Sequence, residues 1–364
     1  MFEQETYRYR HGGNVHVEPG GATFLDFSAN INPLGPPKEV EQAIRAAIPA
    51  IDRYPDSRST ELRAHLAEFE GVSPEWIFCG AGSSDILFRL PRAVNARNGL
   101  ILRPTFSDYE RSLQVSGAGV FIHPLNEETG FVCDEGILSA VKTTSADLLF
   151  LCNPNNPTGV LTDISVIERL LKSCRKSGIT VLVDECFLDL ASEAATATAK
   201  SLLREYENLV ILKAFTKSFA LPGLRLGYAM CADPRMIDRL YACGPDWPVS
   251  NLAQAAGIAA LNHAGSYLKE SVDFIVRERE FLKDELEKSG YRIFDGRVNF
   301  LLAKNPHEFD IKTELDKSRI RVRTFDAEEG LDSRFFRIAV STHENNVRLI
   351  ESVRKVTKTG GFET

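Results

Sequence analysis

The chain has 364 residues, 43% hydrophobic and 26% charged, and its 43 Lys and Arg against 50 Asp and Glu leave a net charge of −7. That length suits one large domain plus a smaller one, and the composition excludes disordered, collagen-like and coiled-coil classes. With no basic block, nucleic acid is not an expected partner; no apolar run reaches the roughly 18–20 residues of a bilayer span, and Met1-Phe2-Glu3-Gln4-Glu5 is too acidic for a signal peptide, so a cytoplasmic protein is expected.

In chain order, the first 35 or so residues, with Gly12, Gly13, Gly20, Gly21 and Pro33, predict an irregular arm. From about residue 76, apolar runs at Leu100–Leu102, Val120–Ile122, Leu148–Cys152, Thr180–Val183, Leu209–Leu212 and Leu226–Met230 predict strands buried on both faces. Between them, Ile164, Ile167, Leu170, Leu171 and Cys174 recur at helical spacing, predicting a helix over Ile164–Lys176. Strands alternating with helices give an α/β domain around a mostly parallel sheet. The last third reads as a smaller α+β unit: a long helical stretch from Ala253 to about Ser289, then strand segments around Arg297–Leu302, Ile320–Arg323 and Phe335–Val340.

Seven cysteines at 79, 133, 152, 174, 186, 231 and 243 form no CxxC pair, which predicts reduced thiols. Neither they nor the seven dispersed histidines offer a clustered metal site, so no metal is expected.

Ligands of open α/β sheets bind beyond the carboxyl ends of the strands. Those ends carry Asn153-Pro154-Asn155-Asn156-Pro157-Thr158-Gly159, then Asp184-Glu185, then Phe215-Thr216-Lys217-Ser218, and then Pro222-Gly223-Leu224-Arg225-Leu226-Gly227-Tyr228. Ahead of them, Cys79-Gly80-Ala81-Gly82-Ser83-Ser84-Asp85 is a glycine-rich turn opening a helix. Singly, each is ordinary turn, cap or surface chemistry. Together they bring an amide, a carboxylate, a lysine, an arginine and a helix N-terminus to one edge.

This order of motifs resembles the fold-type-I pyridoxal-phosphate enzymes, the aspartate aminotransferase-like transferases, over nearly the whole chain. The resemblance implies a seven-stranded large domain, a small domain built from both chain ends, and a homodimer with shared active sites. Boundaries follow: 1–45 as arm and part of the small domain, 46–250 as the cofactor-binding domain, and 251–364 as the small domain. It also implies pyridoxal 5'-phosphate as cofactor. Lys217 would bond its aldehyde and later carry protons; Asp184 would pair with the pyridine nitrogen. Asn156 would face the ring hydroxyl, and Phe106 would stack on the ring. Gly82, Ser83 and Ser84 at the helix N-terminus, with Thr216 and Arg225, would hold the phosphate. Tyr54 would reach the phosphate of the neighbouring subunit.

Within that group two reactions compete: amino transfer, as in histidinol-phosphate aminotransferases, and decarboxylation, as in the threonine-phosphate decarboxylases of cobalamin synthesis. His11-Gly12-Gly13-Asn14, Asp26-Phe27-Ser28-Ala29-Asn30-Ile31-Asn32-Pro33-Leu34-Gly35 and Gly330-Leu331-Asp332-Ser333-Arg334-Phe335-Phe336-Arg337 resemble the decarboxylase ends. Phe187 stands where the aminotransferases usually carry a tyrosine, while Ser83 departs from the acidic residue of the decarboxylases. The resemblance implies conversion of L-threonine O-3-phosphate to (R)-1-amino-2-propanol O-2-phosphate and CO2; serine phosphate and a non-catalytic cofactor-binding role stay open behind it. Arg323 and Arg337 are then the expected grips on a small phosphorylated amino acid, with His11, Gly12, Asn32 and Asn156 beside them. Arg319, Arg321 and Arg323 alternate, so as one strand they would share a face, with at most one or two pointing inward.

Overall fold

The computed structural model describes residues 11–13 and 24–360. A short strand β1 (Leu25–Asp26) precedes the large sheet of β2 (Ile77–Gly80), β3 (Asn98–Arg103), β4 (Gly119–Pro124), β5 (Leu148–Cys152), β6 (Thr180–Asp184), β7 (Leu209–Ala214) and β8 (Gly227–Met230). Its order is β2-β8-β7-β6-β5-β3-β4, and only β8 runs against its neighbours. The strands β5, β6 and β7 are buried almost throughout, because helices cover both faces, which is why they read as continuous apolar runs. The predicted helix forms over Ile164–Lys176, with Asp163 capping it through the Ser165 N–H.

A second sheet follows from β9 (Arg292–Ile293), β10 (Phe300–Lys304), β12 (Arg323–Thr324) and β13 (Phe335–Ala339), in the order β12-β13-β10-β9. The intervening β11 (Ile320–Arg321) pairs instead with β1, parallel. The N-terminal segment is thus not wholly irregular: Leu25–Asp26 is a strand, too short for a periodicity to reveal and paired far away in sequence. Phe27 packs with Ile320, Val322, Phe336 and Ile338 in the core of this part.

Three further expectations are corrected. The long helical stretch is two helices, Asn251–Asn262 and Ala264–Lys288, broken where His263 adopts φ −117° and ψ 7°. Ile77–Gly80 is a buried strand and not merely the entry to a turn. The alternating arginines do not share one strand face: Val322 separates β11 from β12, Arg319 takes a left-handed φ of 56°, and Arg321 pairs with Asp316 while Arg323 enters the other sheet. All seven cysteines are free thiols. No helix among the described residues is long and apolar enough to cross a membrane.

Candidate active site

At the carboxyl edge of the large sheet lies a cavity of about 680 Å³ lined by His11, Gly12, Ser83, Ser84, Phe106, Asn156, Asp184, Thr216, Lys217, Arg225, Arg323 and Arg337. These residues come from both sheets and from the N-terminal segment. Gly82 adjoins as the residue preceding the helix Ser83–Val94.

Lys217 lies in the single helical turn Phe215–Ser218 that continues β7. Burial, and then the nearby Arg337 guanidinium, push its ammonium down to about 8. Its Nζ lies 5.6 Å from the centre of the Phe187 ring, so an apolar face fills the position expected to distinguish this chain from the aminotransferases.

Asp184 ends β6 at the cavity floor, 6% exposed. Burial raises its carboxyl above the ordinary range, while hydrogen bonds from Cys186 and Tyr109 pull the other way. Oδ1 accepts from the Cys186 N–H at 2.9 Å and Oδ2 from the Tyr109 hydroxyl at 2.7 Å. Beside it, the loop after β5 is braced by Asn155, whose Nδ2 donates to the Pro104 carbonyl and to Thr158 Oγ1, both at 3.0 Å. That bracing leaves Asn156 facing the cavity, where its Oδ1 accepts from Arg337.

The phosphate cradle is mainly backbone. The helix Ser83–Val94 has no side-chain cap, so its first-turn N–H groups and the positive end of its dipole are available to an anion. Gly82 adopts φ 83°, and a Cβ there would stand 2.7 Å from Arg225 Nη2; at Gly227 a Cβ would stand 2.5 Å from the Ser83 N. Both glycines let the turn close around Arg225 and the helix start.

On the opposite wall Arg323 and Arg337 are direct partners in the β12–β13 ladder. Arg337, 8% exposed, donates to the Ser28 carbonyl at 2.8 Å and to Asn156, and lies over the Phe300 ring. Burial, then the Arg323 charge, push its guanidinium down to about 9. Arg323 is held by Glu329 at 2.5 Å. Like charges directly opposite in a ladder destabilise it, so the pair is an arrangement suited to anions. His11 closes the mouth: its Nε2 lies 3.1 Å from Asp108 Oδ1 and its ring 5.4 Å from Phe106. Gly12 packs so tightly that a Cβ would meet the Ser28 carbonyl at 2.1 Å, and the Gly13 N–H donates to Ser28 Oγ at 2.9 Å.

Asn32 is corrected. It is 2% exposed and outside the cavity, with Nδ2 donating to the Ser218 carbonyl at 2.9 Å and to Ser271 Oγ at 2.8 Å, and Oδ1 accepting from the Leu34 N–H at 3.1 Å. Asn32-Pro33-Leu34-Gly35 is an Asx turn, a signal the sequence already carried. Asn30, for which no role was expected, lines the cavity instead: with its amide oxygen turned to Arg337, it accepts from Nε at 3.1 Å and Nη1 at 3.3 Å. Tyr54 is not in this cavity; it is 79% exposed and stacked on Trp247 at 4.4 Å. Asn14 lies outside the described residues. Asp26, Asp108, Tyr109 and Glu329 are site residues that sequence reasoning missed, since only tertiary contacts reveal them.

Residues 22–353 match the description of the aminotransferase class I and II family. The chain belongs to this family. It is 33% identical over 357 residues to a threonine-phosphate decarboxylase of Salmonella typhimurium, covering 95% of this chain and 96% of that one. It is also 31% identical to an adenosylcobalamin biosynthesis bifunctional protein, CobDQ, of Leptospira interrogans, covering 95% of this chain and 41% of that protein. Among solved structures, a histidinol-phosphate aminotransferase from Clostridium acetobutylicum superposes with a TM-score of 0.86 at 28% identity, over 92% of this chain and 99% of that one.

Pyridoxal 5'-phosphate is the cofactor of this enzyme, and the residues fit it. The chain offers a lysine whose ammonium is pushed down, a buried carboxylate below it, an aromatic ring at Phe106, and an uncapped helix start with Arg225 for the phosphate. Lys217, Asp184, Asn156, Phe106, Thr216, Arg225 and the Gly82–Ser84 turn would hold it.

Proposed function

We propose that this enzyme decarboxylates a small phosphorylated amino acid, L-threonine O-3-phosphate, to (R)-1-amino-2-propanol O-2-phosphate and CO2, as a step of cobalamin synthesis. The observation that carries the reading is the Arg323–Arg337 pair, two guanidiniums in register on the wall across from the phosphate cradle. A substrate with both a carboxylate and a phosphate supplies two anions for them in one molecule; histidinol phosphate supplies one, and the 2-oxoglutarate of amino transfer supplies two carboxylates but no phosphate. The names of the Salmonella and Leptospira relatives support the same reading.

When bound, the cofactor supplies an electron sink for the pair left at Cα. The protein's part would be to fix the substrate's anions so that one Cα bond, and not another, is presented for cleavage. Arg337, fixed by Ser28, Asn30 and Asn156, and Arg323, fixed by Glu329, bind the anions at set positions. His11 and the Gly12 turn close over the phosphate. Holding the phosphate on that wall would leave the carboxylate, rather than the Cα hydrogen, as the group that departs, and Lys217 would return a proton to Cα at the position it vacates. The site is completed in a cytoplasmic homodimer by Tyr54 of the neighbouring subunit.

Product analysis tests this. Purified protein with cofactor and threonine phosphate is expected to release CO2 with no keto acid present, and histidinol phosphate with 2-oxoglutarate to give no glutamate. Glutamate formation without CO2 release makes it an aminotransferase instead.

A further inference from the structure

Tyr109 has no assigned role, yet it contacts two residues that grip the cofactor. It is fully buried in the helix Asp108–Val115, and its hydroxyl donates to Asp184 Oδ2 at 2.7 Å. Its ring lies parallel to Phe150 at 5.0 Å, and its edge meets Phe106 at 5.6 Å with the planes 80° apart. Phe150 is on β5, so the phenol is fixed from the sheet side. Burial and the Asp184 charge push the Tyr109 hydroxyl well above its ordinary value, so it stays a donor wherever the enzyme folds.

Among the described residues, Asp184 accepts from the Cys186 N–H and thiol and from the Tyr109 hydroxyl. Those of Cys186 are local to the turn after β6; of these donors, Tyr109 alone ties the carboxylate to another element. A buried carboxylate with one fewer donor is more weakly held and free to rotate. We propose that Tyr109 is a positioning residue: it orients Asp184 toward the pyridine nitrogen and supports Phe106, the stacking face. The inference rests on the cofactor reading above.

The test is a double-mutant cycle on cofactor affinity. Tyr109→Phe removes one oxygen and keeps the ring packing. Pyridoxal phosphate is titrated into cofactor-free wild type, Tyr109→Phe, Asp184→Ala and the double variant, with the melting temperature of each cofactor-free protein measured alongside. Tyr109→Phe is expected to weaken binding about tenfold, the scale of one hydrogen bond to a charged group, and to move the visible absorbance maximum of the bound cofactor. In the Asp184→Ala background the same substitution is expected to change nothing, since its partner is gone. Equal affinity and an unmoved absorbance maximum for Tyr109→Phe overturn the proposal, as does the same tenfold loss in both backgrounds, which marks mere packing. If Tyr109→Phe melts too low to titrate, the absorbance maximum of its folded fraction at saturating cofactor decides alone. Failure of the wild type to bind the cofactor defeats the reading of the site itself, a result distinct from all of these.

Discussion

Arg337→Gln separates what Arg337 does for the substrate from what it does for the fold. Its guanidinium is 8% exposed and pushed down to about 9, mostly by burial and then by Arg323. At about 1.4 kcal/mol per tenfold, that displacement corresponds to roughly 5 kcal/mol of unfavourable surroundings for the charged form. Opposing it are the hydrogen bonds from the charged guanidinium to the Ser28 carbonyl and Asn156, together about 3–6 kcal/mol. The two nearly cancel. The cofactor-free variant is therefore expected to melt close to the wild type or slightly above it. Substrate anions lose a desolvated bidentate partner, worth about 2–5 kcal/mol, so kcat/KM for threonine phosphate is expected to fall between about 30-fold and several thousand-fold. Calorimetry of the cofactor-free protein and steady-state CO2 release read the two effects separately. A variant that melts far below the wild type while keeping its kcat/KM refutes the reasoning, because Arg337 is then a strut and not a grip.

The two asparagines of the N-terminal segment should part in the same way: Asn30→Ala is expected to raise KM with little change in melting temperature, whereas Asn32→Ala lowers the melting temperature by stranding the Ser218 carbonyl and Ser271, as kinetics and thermal unfolding will show. Lys217, held at about 8 against an ordinary 10.5, carries its ammonium in both folded and unfolded chains below pH 8, where the folded state bears the whole cost of burying it; as pH rises past 8 the folded chain sheds the proton first and the cost fades. Lys217→Met is thus expected to raise the melting temperature of cofactor-free protein most at pH 6–7 and least near pH 10; a gain that grows with pH contradicts the assignment. Mixing a Tyr54→Ala chain with a Lys217→Ala chain is expected to restore activity above either parent if Tyr54 completes the neighbour's site; no recovery in demonstrated heterodimers leaves Tyr54 as surface packing on Trp247.

What the sequence disclosed follows a physical division. The strands β5, β6 and β7 were legible because burial on both faces writes itself as unbroken apolar runs, and the helix Ile164–Lys176 because one buried stripe repeats at helical spacing. The cofactor edge was legible because its residues sit in short motifs directly after those strands. The β1–β11 pairing was not, since two residues have no period and the partner lies at the other end of the chain. Nor were Tyr109, Glu329 and Asp108, ordinary helix or turn residues until the fold sets them against Asp184, Arg323 and His11. Asn32 was placed beside the substrate on the resemblance alone; in the fold its amide is taken up by the Ser218 carbonyl and Ser271.

The central claim is which bond at Cα breaks, and running the reaction with threonine phosphate in deuterium oxide reads that directly by proton NMR. The account predicts aminopropanol phosphate with one deuterium on the carbon that carried the carboxylate, its original Cα hydrogen retained, and one CO2 per product. Recovered threonine phosphate with its Cα hydrogen exchanged and its carboxylate intact would mean that the site exposes the C–H bond, contradicting the account.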